Sequence, residues 1–154
     1  QLQAFARLPQ LVEQARNARV LAADMLAMFR GPVLEHHADE ERELFPAVLR
    51  SARPGAEALA VQQIVERLER EHRTIERLWK LLQPQLSAAA RGKDQEVDAQ
   101  LVEELVLAYM LHANFEEQHF LPLAEQILAR NGNHMAALGV ALHLRRATQP
   151  VGYV

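Results

Sequence analysis

The chain has 154 residues and a formal net charge of -3 at pH 7, from 17 basic and 20 acidic side chains. A chain of this length suits a single domain, here residues 1–154, with a core large enough to fold alone. It contains no cysteine, which excludes disulfides, thiolate metal sites, iron–sulfur clusters and a cysteine nucleophile. The charge gives no reason to expect nucleic acid or an anionic membrane as a partner.

The composition favours an all-helical protein. Leu, Ala, Glu, Gln and Arg dominate, whereas Gly and Pro are few and stand at breaks between apolar patterns. No apolar run approaches the roughly 20 residues that a membrane span needs, and no signal-peptide pattern opens the chain. We therefore expect a cytoplasmic protein. Since the first residue is Gln1 and not Met, we also expect the natural start to lie upstream.

The first half of the chain predicts two helices. Residues 1–8 carry apolar side chains at helical spacing, and Pro9 is expected to end that helix. The next helix is predicted from about Gln10 to Arg50, with kinks at Gly31–Pro32 and at Pro46. One stripe of this helix, at steps of three and four, is predicted to face the core. Its members are Leu26, Phe29, Val33, His36, Glu40, Leu44 and Ala47.

A turn over residues 51–55 separates this helix from a third, predicted over Ala56–Leu82 and ended by Pro84. The third helix shows the clearest seam for contact with partner helices. The seam consists of Val61, Val65, Leu68, His72, Ile75, Trp79 and Leu82. A loop is predicted next, over residues 87–94.

A fourth long helix is predicted over Val97–Arg130 and is stopped by Asn131–Asn133, with Gly132 near its C′ position. Its core-facing stripe consists of Val102, Leu105, Tyr109, His112, Glu116, His119 and Leu123. A shorter helix is predicted over residues 134–147. The expected fold is therefore an all-α, antiparallel up-down four-helix bundle with an extra C-terminal helix.

One motif occurs twice in the same register. Residues 36–46 and residues 112–122 both read His-x-x-x-Glu-Glu-x-x-apolar-apolar-Pro. On a helix, residues four apart lie above one another, so each copy offers an imidazole and a carboxylate to one point. The repeat indicates a duplicated helical hairpin. Mapping one half onto the other places a histidine equivalent to His72 a few residues ahead of Gln1, and we expect such a residue upstream.

Five residues on the core-facing stripes form a candidate metal site: His36, Glu40, His72, His112 and Glu116. An unpaired buried charge costs several kcal/mol, and metal ions would remove that cost. Two carboxylates can bridge a pair of ions while imidazoles ligate from either side. The plainer alternative is that each histidine is a hydrogen-bonded core residue and each glutamate is exposed.

Neighbouring residues are weaker candidates. His37 and Glu41 are predicted to point about 100° away from the residues before them, and the repeat argues against their replacing those ligands. His119, one turn beyond Glu116, is expected to be a core histidine or the partner of a ligand, with direct ligation left open. Glu117 is expected to be solvated.

These motifs resemble the hemerythrin-like, or HHE cation-binding, family. The family pattern is a His on the first helix, His-x-x-x-Glu on the second, a His on the third and His-x-x-x-Glu on the fourth. Here the last three elements match as His36 with Glu40, His72, and His112 with Glu116, while the first-helix histidine is absent from residues 1–154. The resemblance implies a non-heme di-iron centre with those five residues as ligands.

The resemblance further implies that dioxygen or a related small ligand binds the two irons, which zinc or manganese can replace in a recombinant sample. Members of the family carry oxygen, sense oxygen or iron, or respond to oxidative stress. The sequence offers no defensible nucleophile or general acid, so we expect a binding or sensing protein rather than an enzyme. A homodimer is an open possibility.

Two other interpretations remain open. Glu69-x-x-His72 and Glu116-x-x-His119 are motifs of the kind that ferritin-like di-iron carboxylate oxidases and iron stores use. That interpretation explains fewer of the stripe positions, because Glu69 lies off the seam. The second alternative is a metal-free helical interaction module, in which the histidines serve only to stabilise the core.

Overall fold

The computed structural model describes residues 5–130, Gly132 and Gly139. Helices account for all of the regular secondary structure in these residues, which confirms the predicted all-α class. The α-helices are α1 (Leu8–Met28), α2 (Leu34–Asp39), α3 (Phe45–Ser51), α4 (Ala56–Ala90), α5 (Ala99–Phe115) and α6 (Leu121–Arg130). Three π-helical turns join some of them into longer segments: Phe29–Val33, Glu40–Leu44 and Glu116–Phe120.

The two copies of the repeated motif produce the same backbone feature. In the first copy the Phe45 amide donates to the Glu40 carbonyl, five residues back instead of four. In the second copy the Leu121 amide donates to the Glu116 carbonyl in the same way. The proline that comes after each amide has no N–H and clashes with the carbonyl four residues earlier, which disfavours a regular α-turn there. The apolar-apolar-Pro tail therefore accounts for a π-turn that starts at the motif glutamate.

Two predicted helix boundaries are wrong, and both involve proline. Pro9 lies in the first turn of α1, where its missing N–H and fixed φ are tolerated, so it begins a helix instead of ending one. Pro84 lies inside α4, which continues to Ala90. Pro84 and Lys80 are both exposed, so water can solvate the carbonyl that loses its hydrogen bond.

Other predicted features are confirmed. The turn before α4 contains Gly55 at φ 101°, and α6 ends at Arg130, with Gly132 at φ 67° beyond it. Both glycines adopt left-handed conformations that residues with a Cβ rarely take. The helix predicted over residues 134–147 lies outside the described residues, except for Gly139. In the described part of the chain, no helix is both long and apolar enough to cross a bilayer.

The chain divides into two compact units. The first unit comprises Gln1–Glu35 with Glu76–Val106, and the second comprises His36–Ile75 with Leu107–Val154. In the first unit, Phe29 stacks on Trp79 with ring centroids 4.6 Å apart. Whether residues 1–154 act as one domain stays a prediction.

The second unit has its own apolar core, built from α3, the first part of α4, and α6 with the π-turn before it. Its buried members include Phe45, Val61, Leu68, Phe120, Ile127 and Leu128. The seam predicted for α4 is buried at every one of its seven positions, from Val61 to Leu82. A bidentate ion pair between Arg130 and Glu57, with N···O distances of 3.0 and 2.7 Å, ties the end of α6 to the start of α4.

Candidate metal centre

The second unit brings together six metal-ligating side chains, in two groups of three. One group consists of three imidazoles, from His37, His72 and His112. The other combines one imidazole with two carboxylates, from His36, Glu40 and Glu116. Within each group the candidate ligand atoms all lie within 4.8 Å of one another. All five residues predicted from the stripes are therefore present, together with one residue that was set aside.

The residue set aside is His37, and the expectation that it points away from the site is wrong. His37 is 1% exposed, whereas the side chain of His36 is 31% exposed. The π-turn Phe29–Val33, which contains Gly31 and Pro32, lies one turn before them. A π-turn inserts one extra residue and rotates the helix beyond it, so the buried stripe advances from Val33 to His37. The Gly-Pro pair was the sequence signal for this shift.

The ligand atoms of the two groups approach one another around the carboxylates. Glu40 lies between two imidazoles: its Oε1 is 3.4 Å from His36 Nε2 and its Oε2 is 3.3 Å from His72 Nε2. Glu116 Oε2 is 4.0 Å from His112 Nε2. Atoms about 3–4 Å apart can share one cation, since metal–nitrogen and metal–oxygen bonds to such ligands are about 2.0–2.2 Å long. Glu40 is thus placed to bridge the two groups.

The three imidazoles of the first group pack directly against one another. The His37 ring stacks on His72 with centroids 3.9 Å apart, and His112 meets them edge-on at 5.3 and 4.7 Å. Among the described residues, neither nitrogen of His37 has a hydrogen-bond partner, and the same holds for the Nε2 atom of His112. Buried polar atoms are normally satisfied. A cation that accepts nitrogen ligands would satisfy these atoms, so the residues fit a bound metal.

Two of the three imidazoles in this group have lowered pKa values. Burial lowers the pKa of His37 to about 3, and the neighbouring His72 and His112 act in the same direction. Burial and His72 also lower the pKa of His112, although Glu40 and Glu71 oppose them. A metal-binding imidazole must be neutral, so these two rings need lose no proton at physiological pH.

His72 is the exception among the imidazoles. Burial lowers its pKa, but hydrogen bonds to the Glu40 and Glu41 carboxylates outweigh burial, and the net shift is upward. Tyr109, half-buried one turn before the second motif, has its pKa raised by burial and by nearby carboxylates, with Glu116 the strongest. The phenol therefore stays protonated beside the site.

Two further carboxylates contact the outer nitrogens of the buried imidazoles. His72 Nδ1 donates to Glu41 Oε1 at 2.7 Å, and His112 Nδ1 donates to Glu71 Oε2 at 3.2 Å. Glu41 belongs to neither donor group, as predicted, but its carboxylate contacts a candidate ligand from the outside. Glu71 was missed altogether; its only sequence signal is its position directly before His72.

Aromatic rings close one side of the site. Phe45 is 1% exposed and lies parallel to His72 with centroids 5.9 Å apart. Phe45 also meets Phe120 edge-on at 5.0 Å. Both phenylalanines lie at the apolar positions that end the repeated motif. Each copy of the motif therefore supplies candidate metal ligands and part of the apolar wall that shields those ligands from water.

Several weaker candidates lie away from the cluster. His119 is exposed, with its ring 4.8 Å from Phe115, so the expectation that it is a core residue is wrong. The π-turn that starts at Glu116 explains this, because it shifts the buried stripe to Phe120 and Leu121. Glu69 is exposed too and belongs to neither group, which removes support from the ferritin-like motifs. Glu117 is exposed, as predicted.

Comparison with known proteins agrees with this constellation. A protein from Haemophilus influenzae, described as uncharacterized, is 28% identical over 137 residues, which cover 84% of this chain and 76% of that protein. No solved structure matches the chain. The family model described as hemerythrin HHE cation binding domain matches residues 2–124, which include all six donors. The chain belongs to the hemerythrin HHE cation-binding family.

Proposed function

We propose that this protein binds two iron ions in the second unit and uses them to bind or sense dioxygen or a related small ligand. The observation that carries the proposal is the pair of adjacent donor groups, one with three imidazoles and one with an imidazole and two carboxylates. Iron accepts both donor types, because imidazole suits iron, zinc and copper while carboxylates suit harder ions. Bound ferrous iron would supply an open coordination position and the electrons for a redox-active ligand.

The six donors form one set of ligands for each of the two proposed ions. His37, His72 and His112 would hold one ion, and His36 would hold the other with Glu116. Glu40 would join them, because its two oxygens face different imidazoles. This assignment revises the five ligands predicted from the sequence by adding His37.

The surrounding side chains would limit what reaches the ions. Phe45 and Phe120 leave an apolar wall on one side, which favours a small uncharged ligand over water or an anion. The group with His36 is the more open one, since that ring is 31% exposed. We therefore propose that the small ligand enters beside His36. Binding of this kind needs no nucleophile, which fits a carrier or sensor better than a hydrolase.

Two broader features belong to the same proposal. We propose that the helical segments form an antiparallel up-down four-helix bundle with an extra C-terminal helix. A cytoplasmic location would supply ferrous iron and a reducing environment. Homodimer formation stays a prediction.

Anaerobic iron loading tests the function. The protein is equilibrated with ferrous iron, washed and analysed for iron per chain, and its absorption spectrum is recorded before and after exposure to oxygen. We expect about two irons per chain and a new near-ultraviolet and visible band, reversible for a carrier or sensor and irreversible for an oxidase. H72A should lose the metal, whereas H119A, which changes an exposed histidine, should bind like the wild type. A wild-type protein without iron would leave only a metal-free helical module.

A further inference from the structure

We propose that Glu41 and Glu71 are positioning residues that orient His72 and His112, so that each presents its Nε2 lone pair to a metal ion. The inference rests on the proposed metal site and adds two residues outside the donor groups. Each carboxylate contacts one buried imidazole on the side away from the cluster. Neither residue belongs to the candidate ligand groups themselves.

The first contact joins the π-turn Glu40–Leu44 to α4. Glu41 Oε1 accepts from His72 Nδ1 at 2.7 Å, and Arg73 donates to the same oxygen. The Glu41 side chain is partly exposed while His72 is completely buried, so the hydrogen bond runs from the protein surface to the interior. The carboxylate thus links the arginine to the imidazole, and an ionised acceptor makes a stronger hydrogen bond than a neutral one.

The second contact repeats this arrangement between α4 and α5. Glu71 Oε2 accepts from His112 Nδ1 at 3.2 Å, while Arg67 Nε donates to Glu71 Oε1 at 2.7 Å. Arg67 is itself placed over the Phe115 ring, 3.5 Å from its centroid. Both buried imidazoles are thus the inner ends of Arg–Glu–His chains.

The chemistry of the hydrogen bond fixes the tautomer. An ionised carboxylate can only accept, so in a neutral imidazole the hydrogen bond to Glu41 or Glu71 requires the single proton on Nδ1. In His72 the 2.7 Å contact of Nδ1 with Glu41 is shorter than the 3.3 Å contact of Nε2 with Glu40, which favours the same tautomer. The lone pair is then on Nε2. In both rings Nε2 faces the cluster: it lies 3.3 Å from Glu40 Oε2 in His72 and 4.0 Å from Glu116 Oε2 in His112. Metal-ligating histidines are commonly oriented by a partner on the other nitrogen.

The second copy of the motif does not use its equivalent of Glu41 to contact an imidazole. Glu117 occupies the position in the second motif that Glu41 occupies in the first, yet Glu117 is exposed and His112 takes its partner from α4 instead. Glu117 is therefore a matched control: it has the same chemistry and the equivalent motif position, but it makes no hydrogen bond to an imidazole among the described residues.

The tautomer can be measured without metal. Nitrogen-15 NMR of the full chain, stripped of metal and held at alkaline pH so that both imidazoles are neutral, shows which ring nitrogen carries the proton. In the wild type we expect Nδ1–H for His72 and His112. E41L should release His72 into a mixture with the Nε2–H form, and E71L should do the same for His112. E117L should change neither ring, and E41Q should preserve the wild-type pattern because its amide oxygen still accepts.

Zinc affinity supplies the second readout. In competition with a chromophoric chelator, E41L and E71L should each weaken zinc binding by about 10- to 100-fold, while E117L should remain within about twofold of the wild type. E41Q should lie closer to the wild type than E41L does. Circular dichroism and thermal unfolding of each metal-free variant establish that it is folded.

The outcomes separate this inference from the proposed function. Wild-type tautomers in folded E41L and E71L would overturn the positioning role even if the protein binds metal normally. If the wild type binds no zinc or iron, the function fails, and the tautomer result still decides whether the carboxylates orient the rings. If all three leucine variants lose affinity equally, the effect reflects surface charge and the positioning role is wrong.

Discussion

Replacing His37 with leucine should have opposite effects on the metal-free and the metal-loaded protein. His37 is buried, and neither of its ring nitrogens has a hydrogen-bond partner in the described part of the chain. If His37 is a metal ligand, its unsatisfied nitrogens should destabilise the protein when the metal is absent. H37L removes the unsatisfied nitrogens while it keeps most of the buried volume.

The size of the effect depends on two opposing contributions. An unsatisfied buried polar group costs about 1–3 kcal/mol, and a change of side-chain shape at nearly constant volume costs up to about 1.5 kcal/mol. In the metal-free protein, H37L should therefore change the free energy of unfolding by about -0.5 to +3 kcal/mol. A histidine with satisfied hydrogen bonds would show a loss of about 1–3 kcal/mol instead.

The stability advantage of metal-free H37L over the wild type should increase at acidic pH. The pKa of His37 is 6.5 in its ordinary state and about 3 in the fold. As the pH falls below 6.5, the unfolded chain takes up a proton that the folded chain does not, so His37 destabilises the fold progressively down to about pH 3. One pH unit below 6.5 this contribution is about 1.4 kcal/mol. H37L removes it, so its advantage should rise between neutral and mildly acidic pH.

Urea unfolding measures all of these quantities. Wild type, H37L and the exposed-site control H119L are compared with a chelator present and with excess zinc, at neutral and mildly acidic pH. Zinc at about 100 times its dissociation constant should stabilise the wild type by about 2.7 kcal/mol and H37L by much less. A metal-free H37L that is clearly less stable than the wild type would refute the reasoning, because His37 would then be an ordinary satisfied core residue.

Three further predictions concern stability. F45A should lower the free energy of unfolding by about 3–5 kcal/mol in urea, because Phe45 is 1% exposed and contacts both Phe120 and His72; a loss below about 1 kcal/mol would contradict its role as shared core and site wall. E57Q should lower the thermal midpoint at neutral pH, and its difference from the wild type should vanish as the pH falls from 4.5 to about 2. The reason is that hydrogen bonds from Arg130 and Arg53 lower the pKa of Glu57 to about 2; a difference that persists below that range would contradict the ion pair. G92A should destabilise by about 1–2 kcal/mol, because Gly92 has φ +68° and an added Cβ would lie 3.2 Å from Arg19 Nη1; an unchanged midpoint would show that the turn relaxes.

The period of the apolar pattern predicted the helices well where the backbone is regular α-helix. The seam of α4 is buried at all of its predicted positions, including His72, because no π-turn interrupts the helix between Val61 and Leu82. The same pattern also identified His112, Glu40 and Glu116. His112 lies in regular α-helix before a π-turn, and each of the two glutamates is the first residue of a π-turn.

The predictions failed where proline alters the hydrogen-bonding pattern. A step of three or four residues assumes α-helix throughout, but the π-turns near Pro32 and Pro122 each insert one residue. That single shift buried His37 and exposed His119. Contacts between helices, such as Glu71 with His112, were beyond sequence periodicity, because they depend on how separate helices pack.

A crystal structure of the iron-loaded protein is the sharpest test of whether the six donors of the second unit hold two metal ions. Anomalous difference maps recorded on both sides of the iron absorption edge locate the ions without assumptions about their ligands. We predict two peaks, one among His37, His72 and His112 and the other among His36, Glu40 and Glu116. A single peak, or iron bound elsewhere with the buried imidazoles left uncoordinated, would contradict the proposed centre.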